Sequence, residues 1–265
     1  MKRFVLVVLS AMLYAGTVFA QDASAQSAVA IKQAAKDRIQ SDTMSSRSRM
    51  VITAKNGGTT ERSIDQYSKD GANGYARAVI VFQSPATVKG TRFLTMDKAA
   101  GKSDQWIFLP ALGKVRRIAS SESGGSFMGT DFSYDDLSLM DRDVDEDTHS
   151  VLREETLDGA VCYVIQSVPK DLSDFQYSKV VSWIDKANYR TYKVELYDKK
   201  RGAVEKLMEM SGYTDIQGRD TATRTKVSTL AEGTSTTIYM DIIKYDDPIP
   251  EGVFTTAYLE TGRVR

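Results

Sequence analysis

The chain has 265 residues, with 35 Lys and Arg against 35 Asp and Glu, one His and one Cys. A formal net charge of zero excludes proteins that hold nucleic acid or anionic membranes through bulk positive charge. The lone Cys162 excludes an internal disulfide and, with one histidine, a zinc set.

Lys2 and Arg3 precede an apolar run from Phe4 to Leu13, too short to span a bilayer. Val18-Phe19-Ala20 then supplies the small residues of a cleavage site, so residues 1–20 read as a signal peptide cut before Gln21. No cysteine stands at the cut, and the mature chain is expected to be exported, unlipidated and soluble. Cleavage removes two positive charges, leaving about −2 on about 245 residues, which are read as one domain, 21–265.

From Ser27 to Gln40, Ala28, Ile31, Ala35 and Ile39 recur at spacings of three and four, predicting an amphipathic helix. The punctuation beyond it is that of antiparallel sheet. Asn56-Gly57-Gly58, Lys69-Asp70-Gly71, Asp158-Gly159, Ala187-Asn188, Lys200-Arg201-Gly202, Gln217-Gly218 and Glu232-Gly233 each separate β-branched and aromatic runs. Within Tyr189–Tyr197, alternation gives Arg190, Tyr192, Val194 and Leu196 one face, taken as the inward one. Ala78–Phe82 and Trp106–Leu109 are apolar on both faces and need a cover. The predicted fold is mainly β: a curved, incompletely closed antiparallel barrel of about ten or eleven strands with a helical lid or plug.

A second, short helix is predicted after Ser133. That residue and Asp136 form a capping-box variant, Asp135 and Asp136 suit the positive helix end, and Leu137, Leu139 and Met140 present apolar surface. The Ser121–Ser126 run before it reads as a hinge.

Enzymatic chemistry is poorly supplied. His149, the only candidate general base, stands in the acidic stretch Asp141–Ser150 with no positioned nucleophile near it, and reads as a surface residue. Gly124–Gly129 lacks the strand-to-helix setting of a nucleophile elbow. Asp141, Asp143 and Asp145 open an EF-hand spacing, but Glu146 and Leu152 stand where a glycine and a bidentate glutamate are needed. No phosphate loop or dinucleotide fingerprint occurs, so neither cofactor nor metal is expected. Cys162 sits in an alternating run and reads as a small buried strand residue.

Arg116 and Arg117 interrupt an apolar strand and point to opposite faces. They read either as one arginine in solvent and the other in a salt bridge or, for one of them, as a guanidinium at a cavity rim facing a ligand oxygen. Trp106, Phe108, Phe127, Met128 and Phe132 read singly as core. Together, with the Gly-flanked Phe127-Met128 pair beside a helix, they read as an adaptable apolar lid.

Trp106–Ile118, Ser126–Leu137, the Ser182-Trp183-Ile184-Asp185 strand with its Asn188-Tyr189, and Ile249–Glu260 together resemble the LolA-like outer-membrane lipoprotein-sorting family, over residues 30–262. The resemblance implies a half-open barrel whose apolar cavity shields lipid or lipoprotein acyl chains in the periplasm for transfer toward the outer membrane. Trp106, Phe108, Phe127, Met128, Phe132, Leu137, Met140 and Trp183 would form cavity and lid, with Arg116 and Arg117 at the polar rim. Its partners would be an inner-membrane ABC or RND/MMPL-type transporter and an outer-membrane acceptor. The competing reading is an accessory module that docks an RND/MMPL exporter, with a filled interior and an exposed apolar patch.

Overall fold

The computed structural model describes residues 27–70, 75–98, 103–139, 142–173 and 175–264. The expected signal peptide and Met140 lie outside these residues. One helix, α1, spans 27–37, shorter than the Ser27–Gln40 periodicity suggested.

Thirteen strands follow: β1 (Thr43–Thr53), β2 (Thr59–Asp70), β3 (Ala76–Ser84), β4 (Arg92–Met96), β5 (Asp104–Leu109), β6 (Lys114–Arg117), β7 (Asp147–Leu157), β8 (Ala160–Pro169), β9 (Tyr177–Asp185), β10 (Thr191–Asp198), β11 (Val204–Ile216), β12 (Arg219–Thr229) and β13 (Thr234–Tyr245). They form one sheet in the order β6-β5-β4-β3-β2-β1-β13-β12-β11-β10-β9-β8-β7. Two meanders, β1–β6 and β7–β13, are therefore joined by the pairing of β1 with β13, from Met44↔Tyr245 to Thr53↔Ser235. The count exceeds the ten or eleven expected. The stretch read as one strand interrupted by arginines is two, β5 and β6, folded back through the turn at Pro110–Gly113.

The sheet is open but strongly curled. Ile80 and Phe82 of β3 share one buried cluster with Leu196 of β10 and Met208 of β11, on the far side of the sheet. Only curvature brings these strands together. The inner face is completed by Met50, Ile64, Phe93, Ile107 and Val227. Alternation puts Val79, Val81, Leu94, Trp106 and Phe108 on the outer face. There the C-terminal segment covers them through Ile249, Val253, Phe254 and Leu259, the last within helix α2 (Thr256–Thr261). One of the breaks in strand alternation falls at Gly212. Its φ of 68° lets Met210 and Tyr213 both turn inward, and an added Cβ would lie 2.6 Å from the Thr223 hydroxyl.

Helix α1 packs Ala28, Ile31 and Ala35 on Ile165 and Ile184 of β8 and β9. Just beyond it, Arg38 donates to Asp220 at 2.8 Å, and Arg190 takes the same carboxylate through two bonds of 2.6 and 2.9 Å. Both guanidiniums lie over the ring of Tyr213, at 5.3 and 4.9 Å. Of the Tyr189–Tyr197 alternation, Val194 and Leu196 face inward as expected, whereas Tyr192 packs with the outer cluster because the register shifts between Thr191 and Lys193.

His149 is not a surface residue. The acidic stretch enters β7, and the ring is 2% exposed, 2.8 Å from the Ser167 hydroxyl and 2.8 Å from the Val144 carbonyl oxygen. Burial is the main cause holding its pKa below the ordinary 6.5, against the opposing Val144 bond. The neutral ring is thus the folded form, and its contribution is present above pH 6.5 and lost as pH falls through the lowered folded value. Below pH 6.5 the wild type should lose stability with a slope of up to about 1.4 kcal/mol per pH unit from this group. Melting temperatures between pH 7 and 5 should fall less steeply for His149→Gln; equal slopes would remove His149 from the account.

Candidate functional site

Residues 118–139 and 142–146 lie between β6 and β7, the two edges of the sheet, and the first of these stretches packs on its inner face. Within that stretch the chain doubles back as a small hairpin. Ser126 bridges Ser133, Phe127 N–H donates to the Phe132 carbonyl at 2.7 Å, and Thr130 N–H donates to the Phe127 carbonyl at 3.0 Å. The two central residues, Met128 and Gly129, have φ of 52° and 74°. Two successive left-handed residues suit a tight hairpin turn, but only the glycine adopts that conformation freely; Met128 pays about 1 kcal/mol.

Interactions around the turn hold it. The Ser126 hydroxyl donates to the Thr130 carbonyl at 2.6 Å, and Arg62 Nη1 donates to the Met128 carbonyl at 2.7 Å. The result is the placement of Phe127. Its ring, fully buried, meets Phe93 at 5.1 Å, Tyr134 at 5.5 Å and Phe82 at 5.8 Å. Phe132, Met128, Tyr134, Leu137 and Leu139 join the same inner cluster. The interior among the described residues is thus occupied by side chains, the hairpin's own above all.

Two buried carboxylates seat the hairpin in the sheet. Asp131 accepts from the hydroxyls of Thr229, Thr234 and Thr236 at 2.7, 2.5 and 2.7 Å, while its N–H donates to Thr236 Oγ1 at 3.0 Å. Asp136 accepts from Lys206 Nζ at 2.6 Å, from the Tyr177 hydroxyl at 2.6 Å and from Ser133 N–H at 2.7 Å. The side chains of this ion pair are 8% and 1% exposed. Burial first, then the Asp136 charge, pushes the Tyr177 hydroxyl far above its ordinary range, so it stays a donor. Ser133 and Asp136 do bond reciprocally, as the capping pattern implied, but the helix that follows is a single 3-10 turn, Asp135–Ser138, beginning after Tyr134. Its polar residues serve the sheet more than the helix.

Of the residues singled out from the sequence, Phe127, Met128, Phe132 and Leu137 meet on the inner face. Trp106 and Phe108 do not. They occupy the opposite face of β5 beneath the C-terminal segment, because Ile107 has the inward parity. Trp183 likewise packs on the outer face with Leu157, Tyr192 and Tyr197, and Lys193 Nζ lies 3.9 Å from its ring centroid. Arg116 and Arg117 are half exposed on the edge strand β6 and paired with Glu122 and Asp104. Met140 lies outside the described residues. Sequence reading missed Arg62, Asp131 and Lys206. Arg62 shares the parity of Ile64, which is the signal that places it inward.

Lys206→Met leaves Asp136 buried without its counter-charge and should destabilise the protein by about 3–5 kcal/mol. Adding Asp136→Asn should recover part of that loss, since the carboxylate charge goes with it. Urea unfolding of the two variants checks this; a double variant less stable than Lys206→Met alone would refute the ion pair as the seat.

Comparison with known proteins follows from this architecture. A family model described as an uncharacterized protein matches residues 74–261. A DUF1329 family protein from Desulfovibrio piger is 31% identical over 89% of this chain and 99% of its own, with a TM-score of 0.84. A domain from Vibrio parahaemolyticus, described as that of an outer membrane lipoprotein-sorting protein, is 28% identical over 89% and 99%, with a TM-score of 0.82. A LolA superfamily protein from Nitrosomonas europaea shares the fold, with 22% identity over 89% and 99% and a TM-score of 0.70. No protein of curated function matches at a significant level. With a parallel of this extent and the open curled sheet shared with it, the chain belongs to the DUF1329 family.

Proposed function

We propose that this protein is a periplasmic carrier, exported by its first 20 residues and unlipidated, that shields an acyl chain of a lipid or lipoprotein against the inner face of the sheet. Residues 21–265 act as one unit in this reading. It receives its cargo from an inner-membrane ABC or RND/MMPL-type transporter and yields it to an outer-membrane acceptor.

The observation that carries the proposal is the hairpin tip. Phe127 fills the place between Phe82 and Phe93 that an acyl chain would take, and among the described residues the Met128 carbonyl bond to Arg62 is the one hydrogen bond that ties the turn at this end to the sheet. Displacing the tip costs the burial of one aromatic side chain, about 3 kcal/mol, and one charge-assisted hydrogen bond, about 1.5–3 kcal/mol. A chain of a dozen methylenes supplies roughly 10 kcal/mol before association costs. The exchange therefore becomes more favourable with each added methylene and is unfavourable for a short chain. Such a role asks for no acid–base or metal chemistry.

A filled interior also suits the docking-module reading. That reading needs an exposed apolar patch, however, and the large exposed side chains described are spread over α1 (Val29), β7 and β8 (Leu152, Val161), β13 (Ile242) and separate turns (Leu112, Leu172, Leu230). The carrier reading is therefore preferred.

Native mass spectrometry with lipid extraction, on mature protein purified gently from a periplasm, tests it. An acyl adduct is expected, at higher occupancy in Phe127→Ala and lost in Met128→Asp. Phe127→Ala should also cost about 3–5 kcal/mol of stability when no ligand is bound. Apo protein that takes up none of the lipids or lipoproteins offered would sink the carrier and favour the docking module.

A further inference from the structure

Arg62 is a cation in an unusual place. It pairs in register with Met50 and shares the inner face with Ile64, and its guanidinium lies 5.8 Å from the centroid of the Phe82 ring. Arg38, Arg47, Arg142 and Arg190 each hold a carboxylate. Among the described residues Arg62 holds none: its one hydrogen-bond partner is the Met128 carbonyl, through Nη1 at 2.7 Å. Burial lowers its pKa with no neighbouring carboxylate to oppose the shift. A partly desolvated guanidinium facing an apolar interior is costly, and a single neutral acceptor offsets little of that cost. Neither Nε nor Nη2 makes a hydrogen bond among the described residues, and that edge of a guanidinium takes both oxygens of a carboxylate or phosphate.

We infer that Arg62 is the anion-recognition point of the ligand site: when the hairpin tip withdraws, its guanidinium takes a phosphate or carboxylate group at the head of the bound molecule. The inference rests on the carrier reading and narrows it to amphiphiles with an anionic group beside the chain. Binding and opening are coupled, because the same guanidinium that holds the Met128 carbonyl holds the anion. Strain at Met128 and the half-buried guanidinium, which holds one neutral acceptor, both favour the exchange once an apolar chain replaces Phe127.

Calorimetric titration of the full mature protein tests this with three probes: dodecyl phosphate and dodecanol, both kept below aggregation, and inorganic phosphate. Wild type should bind dodecyl phosphate at least about tenfold more tightly than dodecanol. Arg62→Gln should abolish that preference while keeping dodecanol affinity, and Arg62→Lys should retain part of it; near-ultraviolet circular dichroism verifies that both variants fold. Equal affinities for the two dodecyl compounds in the wild type, or a preference that survives in Arg62→Gln, would overturn the inference and leave the carrier reading standing. Arg62-dependent binding of inorganic phosphate, with no gain from the chain, would uphold the anion site and remove the lipid as its source. Binding of none of the three would overturn both readings.

Discussion

The ion pair between Asp136 and Lys206 fixes where the segment 118–139 sits, and the state of the inner face follows from it. A sheet that curls without closing leaves an apolar concavity and two edges. One stretch of chain, 118–139, lies between the edge strands in sequence and fills the concavity with its own side chains. Two carboxylates buried against threonines and a lysine would be a poor way to gain stability alone, since their desolvation cancels most of their attraction. They are an effective way to fix a single register. Apolar packing alone would let a short hairpin slide; Asp131 over three threonine hydroxyls and Asp136 over Lys206 and Tyr177 allow one position only.

The polarity of the anchoring is uneven along the hairpin. From Asp131 onward the chain is held by buried hydrogen bonds to β9, β11, β12 and β13. At the turn it is held by aromatic contacts, one arginine and a backbone conformation unfavourable to Met128. The base of the hairpin is thus held by more buried polar bonds than its tip. The edges are treated differently again. β6 is only Lys114–Arg117 and carries three cations, two of them in ion pairs, which discourages pairing with another chain.

The sheet was legible in the sequence because turns announce themselves locally: the Gly-containing breaks and the two-residue alternation are short-range signals. What alternation cannot give is which of two parities faces inward. Trp106 and Phe108, which the resemblance puts in the cavity, lie on the opposite face, and what decides this is Val253, Phe254 and Leu259, more than a hundred residues on, which cover that face. Trp183 also lies on the outer face, against Leu157, Tyr192 and Tyr197, partners that alternation within its own strand does not reveal. Phe127 and Phe132 turn inward, and the glycines and small polar residues around them are a local signal of a tight turn carrying apolar side chains. Asp131 and Lys206 were not seen, since a buried acid is recognised by its partners, and those partners lie on strands far along the chain.

The pairing of β1 with β13 bears on how the molecule assembles. Every other strand pairs with a neighbour in sequence, so each meander can zip from its own turns, and the two must then meet along a seam whose strands lie near opposite ends of the chain. Closing so long a loop is entropically slow. Until that seam closes there is no curled sheet, Asp131 in the middle of the chain has no β13 threonines to accept from, and the hairpin has no seat. The emerging polypeptide therefore holds two half-sheets with open apolar faces until its final strand arrives, and seam closure and plug seating become one cooperative event.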